Sequence, residues 1–285
     1  MTENQTLSLD GLVFAAVELD ISNHILTICL NRPEKKNAIN ETMVNELIYA
    51  LDYAKQQRDI RVVVLAAKGN IFCAGADLKA MSGNQEGQLV SNVPKRGEFD
   101  AMALRLYHLN KPVIAKLQGS VYAGGLMMLT TVTHAIAADH IVFCSPEILR
   151  GLWPFQVMAG LFRLMPQRAA LDFIMRGTKL SAERALGYGL VNEIVPEAEL
   201  DEHVAALAAE LANLAPNTMQ LGLKAFRDQD NMSFDQALPY LKEQLLAVAA
   251  DGAKMCVGWA ALAPFDSHGA RPELVEGLFT LRLKR

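Results

Sequence analysis

The sequence predicts an α/β fold, because short apolar runs typical of buried strands alternate with segments of helical periodicity. Three runs with polar or turn residues on both sides are the strand candidates: residues 26–30, 62–67 and 113–117. Between the first two, apolar residues recur at helical spacing over residues 43–54, behind Asn40 as a favoured N-cap. A second helix is predicted at residues 99–109 and ends before Pro112. Residues 135–143 are predicted as one further strand.

From about residue 155 the pattern becomes mostly helical. A helix at residues 169–176 is predicted to end at Gly177, because glycine readily adopts the left-handed conformation that terminates helices. Ser181 is predicted to cap the short helix that follows, ahead of a strand or extended piece near residue 193.

Two apolar stripes predict a helical subdomain in the last third of the chain. The first covers residues 200–214 and the second covers residues 234–248. The second stripe begins with a Ser233-x-x-Gln236 capping box, and Pro239 lies where it would kink the helix. Such stripes pack either on the main domain or on a second copy of the chain, and the sequence leaves both alternatives open.

Composition and charge exclude several classes of protein. With 51% hydrophobic and 20% charged residues, the 285-residue chain can bury a sizeable core. The 27 Lys and Arg against 31 Asp and Glu give a net charge of -4 without a basic run, so nucleic acid is not an expected partner. The four cysteines lack C-x-x-C or metal-ligand spacing, which predicts a reducing compartment. A polar N-terminus and the absence of a spanning apolar run predict a cytoplasmic protein without a membrane partner.

The residues that could carry chemistry lie in two glycine-containing turns. The sequence has no H-E-x-x-H motif, no G-x-S-x-G motif and no Walker lysine, and no metal site is predicted. What remains are residues 72–78 and 119–125, each directly after an apolar strand candidate. Backbone N–H groups of two such turns, if they converge, would form an oxyanion hole. The alternative is that both are only tight turns between a strand and a helix.

Four segments, taken together and in order, resemble the enoyl-CoA hydratase/isomerase (crotonase) family. They are LNRPEKKNAIN at residues 30–40, IFCAGADLK at 71–79, GSVYAGG at 119–125 and SPEIL at 145–149. The resemblance covers roughly residues 12–255. It implies a crotonase-like spiral of β-β-α units with a C-terminal helical subdomain, and assembly into homotrimers or hexamers. The implied domains are a core with the CoA-thioester site at residues 1–197, a helical oligomerisation subdomain at 198–262 and an atypical tail at 263–285.

The resemblance also implies a site for an acyl-CoA thioester, with no cofactor beyond the coenzyme A moiety of that substrate. By motif position, the amides of Ala76 and Gly124 would grip the thioester carbonyl, and Glu147 would be the general acid/base. The residues that the resemblance places along the CoA site, largely through their backbone, are Lys36, Ala38, Ala74, Ala76, Asp77, Leu78 and Gly124. Asp77 is expected to orient its own loop.

The sequence departs from the hydratase pattern in ways that bear on the reaction. Met127 stands where hydratases carry their first catalytic glutamate, so Glu147 alone would move protons. Trp153 and Phe155 replace a glycine-rich turn and either pack in the core or narrow the acyl site. Double-bond isomerisation and enoyl-CoA hydration both remain open. The alternative is a non-catalytic acyl-CoA binding or assembly protein.

Four further side chains near these motifs are candidates for auxiliary acids or nucleophiles: Cys73, Tyr122, His134 and Cys144. None has a recognisable partner by spacing, so packing is the favoured interpretation of each.

Overall fold

Two β-sheets, one of six strands and one of four, form the framework of the protein, whose computed structural model describes residues 6–81 and 90–255. Within these ranges the strands are β1 (Val17–Ser22), β2 (Ile25–Leu30), β3 (Val62–Ala67), β4 (Ile71–Cys73), β5 (Val113–Leu117), β6 (Ser120–Tyr122), β7 (His134–Ala138), β8 (Val142–Cys144), β9 (Lys179–Ser181) and β10 (Glu193–Val195). The helices are α1 (Glu41–Gln56), α2 (Leu78–Met81), α3 (Phe99–Tyr107), α4 (Gly124–Leu129), α5 (Phe155–Leu164), α6 (Gln167–Arg176), α7 (Ala182–Gly187), α8 (Leu200–Asn213), α9 (Pro216–Asp228) and α10 (Phe234–Met255).

The two sheets are built from alternating strands of the same chain. The six-stranded sheet has the order β1-β2-β3-β5-β7-β10, and the four-stranded sheet has the order β4-β6-β8-β9. Each of the pairs β3-β4, β5-β6 and β7-β8 therefore gives one strand to each sheet before a helix follows. The central strands of both sheets pair in parallel. This repeated strand–strand–helix arrangement confirms the predicted α/β spiral.

The core lies on the six-stranded sheet. All six residues of β3 are buried, as expected for a parallel strand that is covered on both faces. Helix α1 contacts β1 and β2, and helix α8 contacts β3, β5 and β7. The residues that α8 buries are Leu200, Val204, Ala208 and Ala212. The first predicted stripe therefore packs largely on the sheet, whereas Leu214 at its end is exposed.

Local signals in the sequence set several of the helix ends. The Asn40 side chain accepts a hydrogen bond of 2.9 Å from the Met43 amide at the start of α1. Gly177 ends α6 in the left-handed conformation, with φ of 58°, and the Ser181 hydroxyl accepts from the Arg184 amide at the start of α7. These predicted caps are confirmed.

The prediction of one strand at residues 135–143 is wrong. The chain forms β7 and β8 instead, which belong to different sheets and are separated by a turn at Asp139 and His140. Both turn residues are exposed. Their polar side chains mark the point where the backbone leaves one sheet for the other.

The chain divides into two compact units, Met1–Asp230 and Asn231–Arg285. Helices α8 and α9 belong to the first unit, although the sequence analysis grouped them with the later helix. In the second unit, α10 begins with the predicted capping box, since the Ser233 amide donates to the Gln236 side chain at 3.0 Å, and Pro239 lies within this helix. The oligomerisation role of residues 198–262 stays a prediction, and the predicted tail at 263–285 lies outside the described residues. No helix in the described ranges is long and apolar enough to cross a membrane.

Helices α4 and α5 approach closely at Gly160, where a side chain would not fit. A Cβ atom at Gly160 in α5 would lie 1.9 Å from Thr130 Oγ1, at the end of α4. We expect Gly160→Ala to lower the free energy of unfolding by about 2 kcal/mol or more, as overpacking of a tight contact does. Gly222→Ala in α9 is the control, because its Cβ would meet no atom within 4 Å. Urea denaturation should show the control unchanged or slightly more stable; equal stabilities of the two variants would contradict the tight crossing.

Candidate active site

Three of the four segments that carry the resemblance follow three neighbouring strands of one sheet. In the four-stranded sheet, β6 pairs in parallel with β4 on one side and with β8 on the other. The segments after these strands therefore leave the sheet at the same edge, which is where α/β proteins place their ligands. Ala76, Gly124 and Glu147 each lie two or three residues beyond the end of their strand.

The loops after β4 and β6 are in contact through their backbones. Gly75 has φ of +88°, and a Cβ atom placed there would lie 2.6 Å from Ala123 Cβ and 3.1 Å from the Gly124 nitrogen. Only glycine allows this approach, because any side chain would push the loops apart. Two loops that are separate in the sequence thus meet at the predicted oxyanion residues.

A short parallel bridge to Ile39 fixes the backbone on either side of Ala76. The Ile39 amide donates to the Gly75 carbonyl at 2.8 Å, and the Asp77 amide donates to the Ile39 carbonyl at 2.8 Å. This parallel bridge uses the groups on either side of Ala76 and leaves its own N–H on the opposite face of the backbone. A Cβ atom on Gly124 would lie 3.7 Å from the Ala76 nitrogen.

The amide of Gly124 is redirected by a strained residue. Ala123 has φ of 48° and ψ of −122°, a conformation that costs a non-glycine residue about 1–3 kcal/mol. Its own amide donates to the Cys144 carbonyl at 3.0 Å, and the chain then turns into α4. Throughout residues 6–81 and 90–255, neither Gly124 N–H nor Ala76 N–H donates a hydrogen bond to the protein. Two backbone N–H groups that have no acceptor among the described residues therefore lie close together at the sheet edge.

Glu147 begins a 3₁₀ turn, Glu147–Arg150, three residues after β8. Its side chain is half-buried, and its Oε2 accepts a hydrogen bond of 2.7 Å from the Ser145 hydroxyl. The Cys144 thiol lies near this carboxylate: burial raises the pKa of Cys144, and the negative charge of Glu147 raises it further. The strand pairing brings this turn to the same edge as the Gly124 loop.

The predicted CoA-site residues form one connected surface segment. The Ala74 amide donates to the Lys36 carbonyl at 3.0 Å, so the segment before α1 runs beside the loop after β4. Lys36 and Leu78 are exposed, Ala38 and Ala74 are half-buried. The structure thus gathers the residues that the resemblance selected, and their contacts with coenzyme A stay a prediction.

A buried ion pair, missed from the sequence, holds this segment to the loop. Arg32 is almost fully buried, and its guanidinium lies 3.1 Å from the Asp77 carboxylate and also donates to the Ala38 carbonyl. Burial raises the pKa of Asp77, but hydrogen bonds from the Ala80 amide and from Arg32 outweigh it and hold the pKa below its ordinary value. An ionised Asp77 engaged in this way agrees with the expectation that it orients its own loop.

Asn37 is a second positioning residue that sequence reasoning missed. It is fully buried with φ of 52°, and its side-chain amide donates to the carbonyls of Lys68 at 2.8 Å and Ile71 at 2.9 Å. Its side-chain oxygen accepts from the Arg32 amide at 2.8 Å. An Asn in a turn of charged residues gave the only signal, since asparagine tolerates positive φ.

The four auxiliary candidates do not form a second reactive centre. Burial raises the pKa of Cys73 to about 12, so this thiol carries no thiolate near neutral pH. The Cys144 thiol donates to the Gly177 carbonyl. His134 is in β7 of the other sheet, where burial lowers its pKa, and Tyr122 is a half-buried residue of β6. These environments support packing for the two cysteines.

The positions that depart from the hydratase pattern have different surroundings. Met127 is buried in α4, and Trp153 is half-buried against the core. Phe155 is 72% exposed at the start of α5, so a core role for it is wrong. Its exposure follows from its place at the first position of a helix that buries only Val157 and Leu161.

The fold of this chain matches solved structures of one class of protein. Enoyl-CoA hydratase from Mycobacterium tuberculosis H37Rv superimposes with a TM-score of 0.77 at 27% identity, covering 86% of this chain and 96% of that one. Enoyl-CoA hydratase from Mycobacterium smegmatis gives a TM-score of 0.76 at 26% identity, covering 85% and 96%. The fold is that of the crotonases.

The family follows from the sequence as a whole. The family profile described as "Enoyl-CoA hydratase/isomerase" matches residues 20–255. Human enoyl-CoA hydratase domain-containing protein 3, mitochondrial, is 30% identical over 208 residues, or 72% of this chain and 67% of that protein. Carnitinyl-CoA dehydratase from Escherichia coli strain K12 is 30% identical over 235 residues, or 81% and 87%. The chain belongs to the enoyl-CoA hydratase/isomerase family, whose members act on acyl-CoA thioesters.

Close contact between the two loops predicts a specific cost for Gly75→Ala. The variant would place Cβ against Ala123 in addition to straining a positive φ. Gly11→Ala is the matched control, because Gly11 also has positive φ, +72°, but a Cβ there meets no atom within 4 Å. We expect Gly75→Ala to lower the free energy of unfolding by about 1–3 kcal/mol more than the control does. Urea titration measures the difference; an equal loss would mean that the loops can separate freely.

The pairing of Asp77 predicts a pH-dependent contribution to stability. A carboxyl whose pKa is lower in the folded than in the unfolded protein stabilises the fold above the unfolded pKa, and this contribution is lost as the pH falls through the folded pKa. We expect Asp77→Asn to be less stable than the wild type at pH 7, with a smaller difference well below about pH 4. Chemical denaturation at both pH values measures this. Asp20→Asn, at an exposed position, should show little change at either; a difference for Asp77→Asn that does not shrink in acid would contradict the pairing.

Proposed function

We propose that the protein is an acyl-CoA enzyme that stabilises a thioester enolate with the amides of Ala76 and Gly124 and moves protons with Glu147. The observation that carries the proposal is the convergence of two unpaired backbone donors at the edge where Glu147 lies. Negative charge that develops on a thioester oxygen would be shared by both donors, which makes removal of a proton from the α carbon easier. Loss of one such donor typically costs roughly 3 to 4 kcal/mol in the transition state.

Proton transfer in this proposal depends on a single carboxylate. The ionised Glu147 takes the α proton and, once protonated, returns it to another carbon or to the same one. Met127 cannot hold or activate a water molecule, which favours double-bond isomerisation over a two-carboxylate hydration. The name of the E. coli relative adds carnitinyl-CoA dehydration to the reactions worth testing. Coenzyme A enters as part of the substrate, and the proposed steps are proton transfers only.

The proposal also covers the oligomeric state and the cellular location of the protein. By resemblance to the family, we expect a homotrimer or hexamer. The cytoplasmic location that the sequence predicts is the second expectation. Sedimentation of the full chain and localisation of a tagged copy would test these two expectations.

A non-catalytic acyl-CoA binding or assembly protein is the second candidate, and Met127 is the observation that favours it. A buried methionine at the position of a catalytic carboxylate is what loss of the reaction would leave behind. Such a protein would retain the backbone donors and the CoA surface, so binding alone does not separate the two candidates.

Exchange at the α carbon separates them. Butyryl-CoA in deuterium oxide should gain deuterium in the presence of the wild type, because exchange reports enolate formation directly. We expect Glu147→Gln to reduce the exchange rate by at least about a thousandfold, while the dissociation constant for butyryl-CoA changes less than about threefold. The exposed Glu202→Gln in α8 is the control and should exchange at the wild-type rate. Nuclear magnetic resonance measures exchange, and calorimetry measures binding.

The contradicting outcomes are distinct. Tight binding of butyryl-CoA without any exchange by the wild type would favour the binding protein. Wild-type exchange by Glu147→Gln would remove Glu147 from the mechanism. If exchange is present, a panel of enoyl-CoA and carnitinyl-CoA substrates then shows whether the net reaction is a double-bond shift, hydration or dehydration.

A further inference from the structure

Ser145 lies between the end of β8 and the proposed acid/base and has a contact that the family resemblance did not assign. Its side chain has no exposed surface, and its hydroxyl lies 2.7 Å from Glu147 Oε2. An ionised carboxylate only accepts hydrogen bonds, so the hydroxyl must be the donor. The distance is that of a charge-assisted hydrogen bond, which is stronger than a neutral one.

This contact makes the two carboxylate oxygens of Glu147 different. Oε2 is occupied by the single proton of the Ser145 hydroxyl. In the part of the chain that the structure describes, no group donates to Oε1. Because Ser145 is buried, water does not compete for its proton. Oε2 is therefore held by a hydrogen bond, and Oε1 is available to a substrate.

The backbone keeps Ser145 in place. The preceding residue, Cys144, pairs with Tyr122 of β6, and its carbonyl accepts from the Ala123 amide. The turn that follows is closed by a hydrogen bond of 3.1 Å from the Leu149 amide to the Pro146 carbonyl. Ser145 is thus fixed to the same strand end as the Gly124 loop, which gives it a set distance from both parts of the site.

We propose that Ser145 is a positioning residue that holds Oε2 of Glu147, so that Oε1 alone transfers the proton. The inference rests on the proposed function, since it needs Glu147 to be the base. The Ser145 hydrogen bond restrains the Glu147 side chain, which strand pairing does not do. A glutamate side chain without a partner samples several rotamers.

Several other charged or titratable groups lie near this turn. The Cys144 thiol, next to Ser145, is within the influence of both Glu147 and Lys179 of β9. Arg150 ends the turn itself. Helix α6, which packs on the turn, carries Arg168 and the ion pair of Asp172 with Arg176 at 3.3 Å. Substitution of Ser145 changes none of these groups.

The test compares the rate of α-proton exchange of butyryl-CoA for Ser145→Ala, Ser145→Cys and Ser145→Thr with that of the wild type. For Ser145→Ala we expect a loss of about ten- to a hundredfold in the maximal rate, because a hydrogen bond to a charged group is lost, and less than about twofold change in KM. Ser145→Thr keeps the hydroxyl and should restore most of the rate. Ser145→Cys keeps a weak donor and should fall between.

Ser181→Ala is the control, because it removes a cap hydroxyl from the neighbouring α7 and should lower the unfolding midpoint without lowering the exchange rate. A wild-type exchange rate for Ser145→Ala would overturn the inference. The inference would also be overturned if the alanine and threonine variants lost the same exchange rate while their unfolding midpoints stayed near that of the wild type. A change in packing, and not the loss of the hydrogen bond, would then explain the effect. If the Ser145→Thr variant does not fold, the exchange rates of the serine, cysteine and alanine proteins test the inference, and they should decrease in that order. Full exchange by Glu147→Gln would instead overturn the proposed function itself.

Discussion

The contact of Gly75 with Ala123 and Gly124 is the constraint on which the site depends. Two loops from neighbouring strands of one sheet can bring their amides together only if no side chain separates them. The Ile39 bridge then fixes the backbone around Ala76, and the strained Ala123 leads the chain into Gly124. The cost of this strain is met by a buried core and by the parallel pairing of the strands beneath it. The result is two backbone amides that lie close together at the edge of the four-stranded sheet.

Much of the fold was readable from the sequence, because local chemistry set it. Apolar runs gave the strands β2, β3 and β5, and Asn40 capped α1 as its side chain required. The division of residues 135–143 between two sheets was not readable, since the segment is apolar on both sides of a short polar turn. Burial of Arg32 was equally hidden, because its partner Asp77 is distant in the sequence and an arginine in a polar segment is usually exposed.

The proposed site shows the same division between local and long-range information. Motifs marked Ala76, Gly124 and Glu147 through their resemblance to a family, but spacing along the chain does not predict that three strand ends meet at one edge. That convergence follows from sheet order alone. The exposure of Phe155 and the burial of Met127 also depend on how helices pack. The proposal of a single acid/base therefore comes from the residue types at Met127 and Glu147. The proximity of the three strand ends comes from the topology of the sheet.

The carbonyl stretching frequency of a bound thioester tests the central claim most directly. Two hydrogen bonds to the carbonyl oxygen polarise the bond, so butyryl-CoA labelled with carbon-13 at this carbon should show its infrared band at a lower frequency in the complex than in solution. Because the donors are backbone amides, the shift should persist in Glu147→Gln, where no reaction competes. A band at the solution frequency in a saturated complex would contradict the account, since the thioester would then be bound without the two amides.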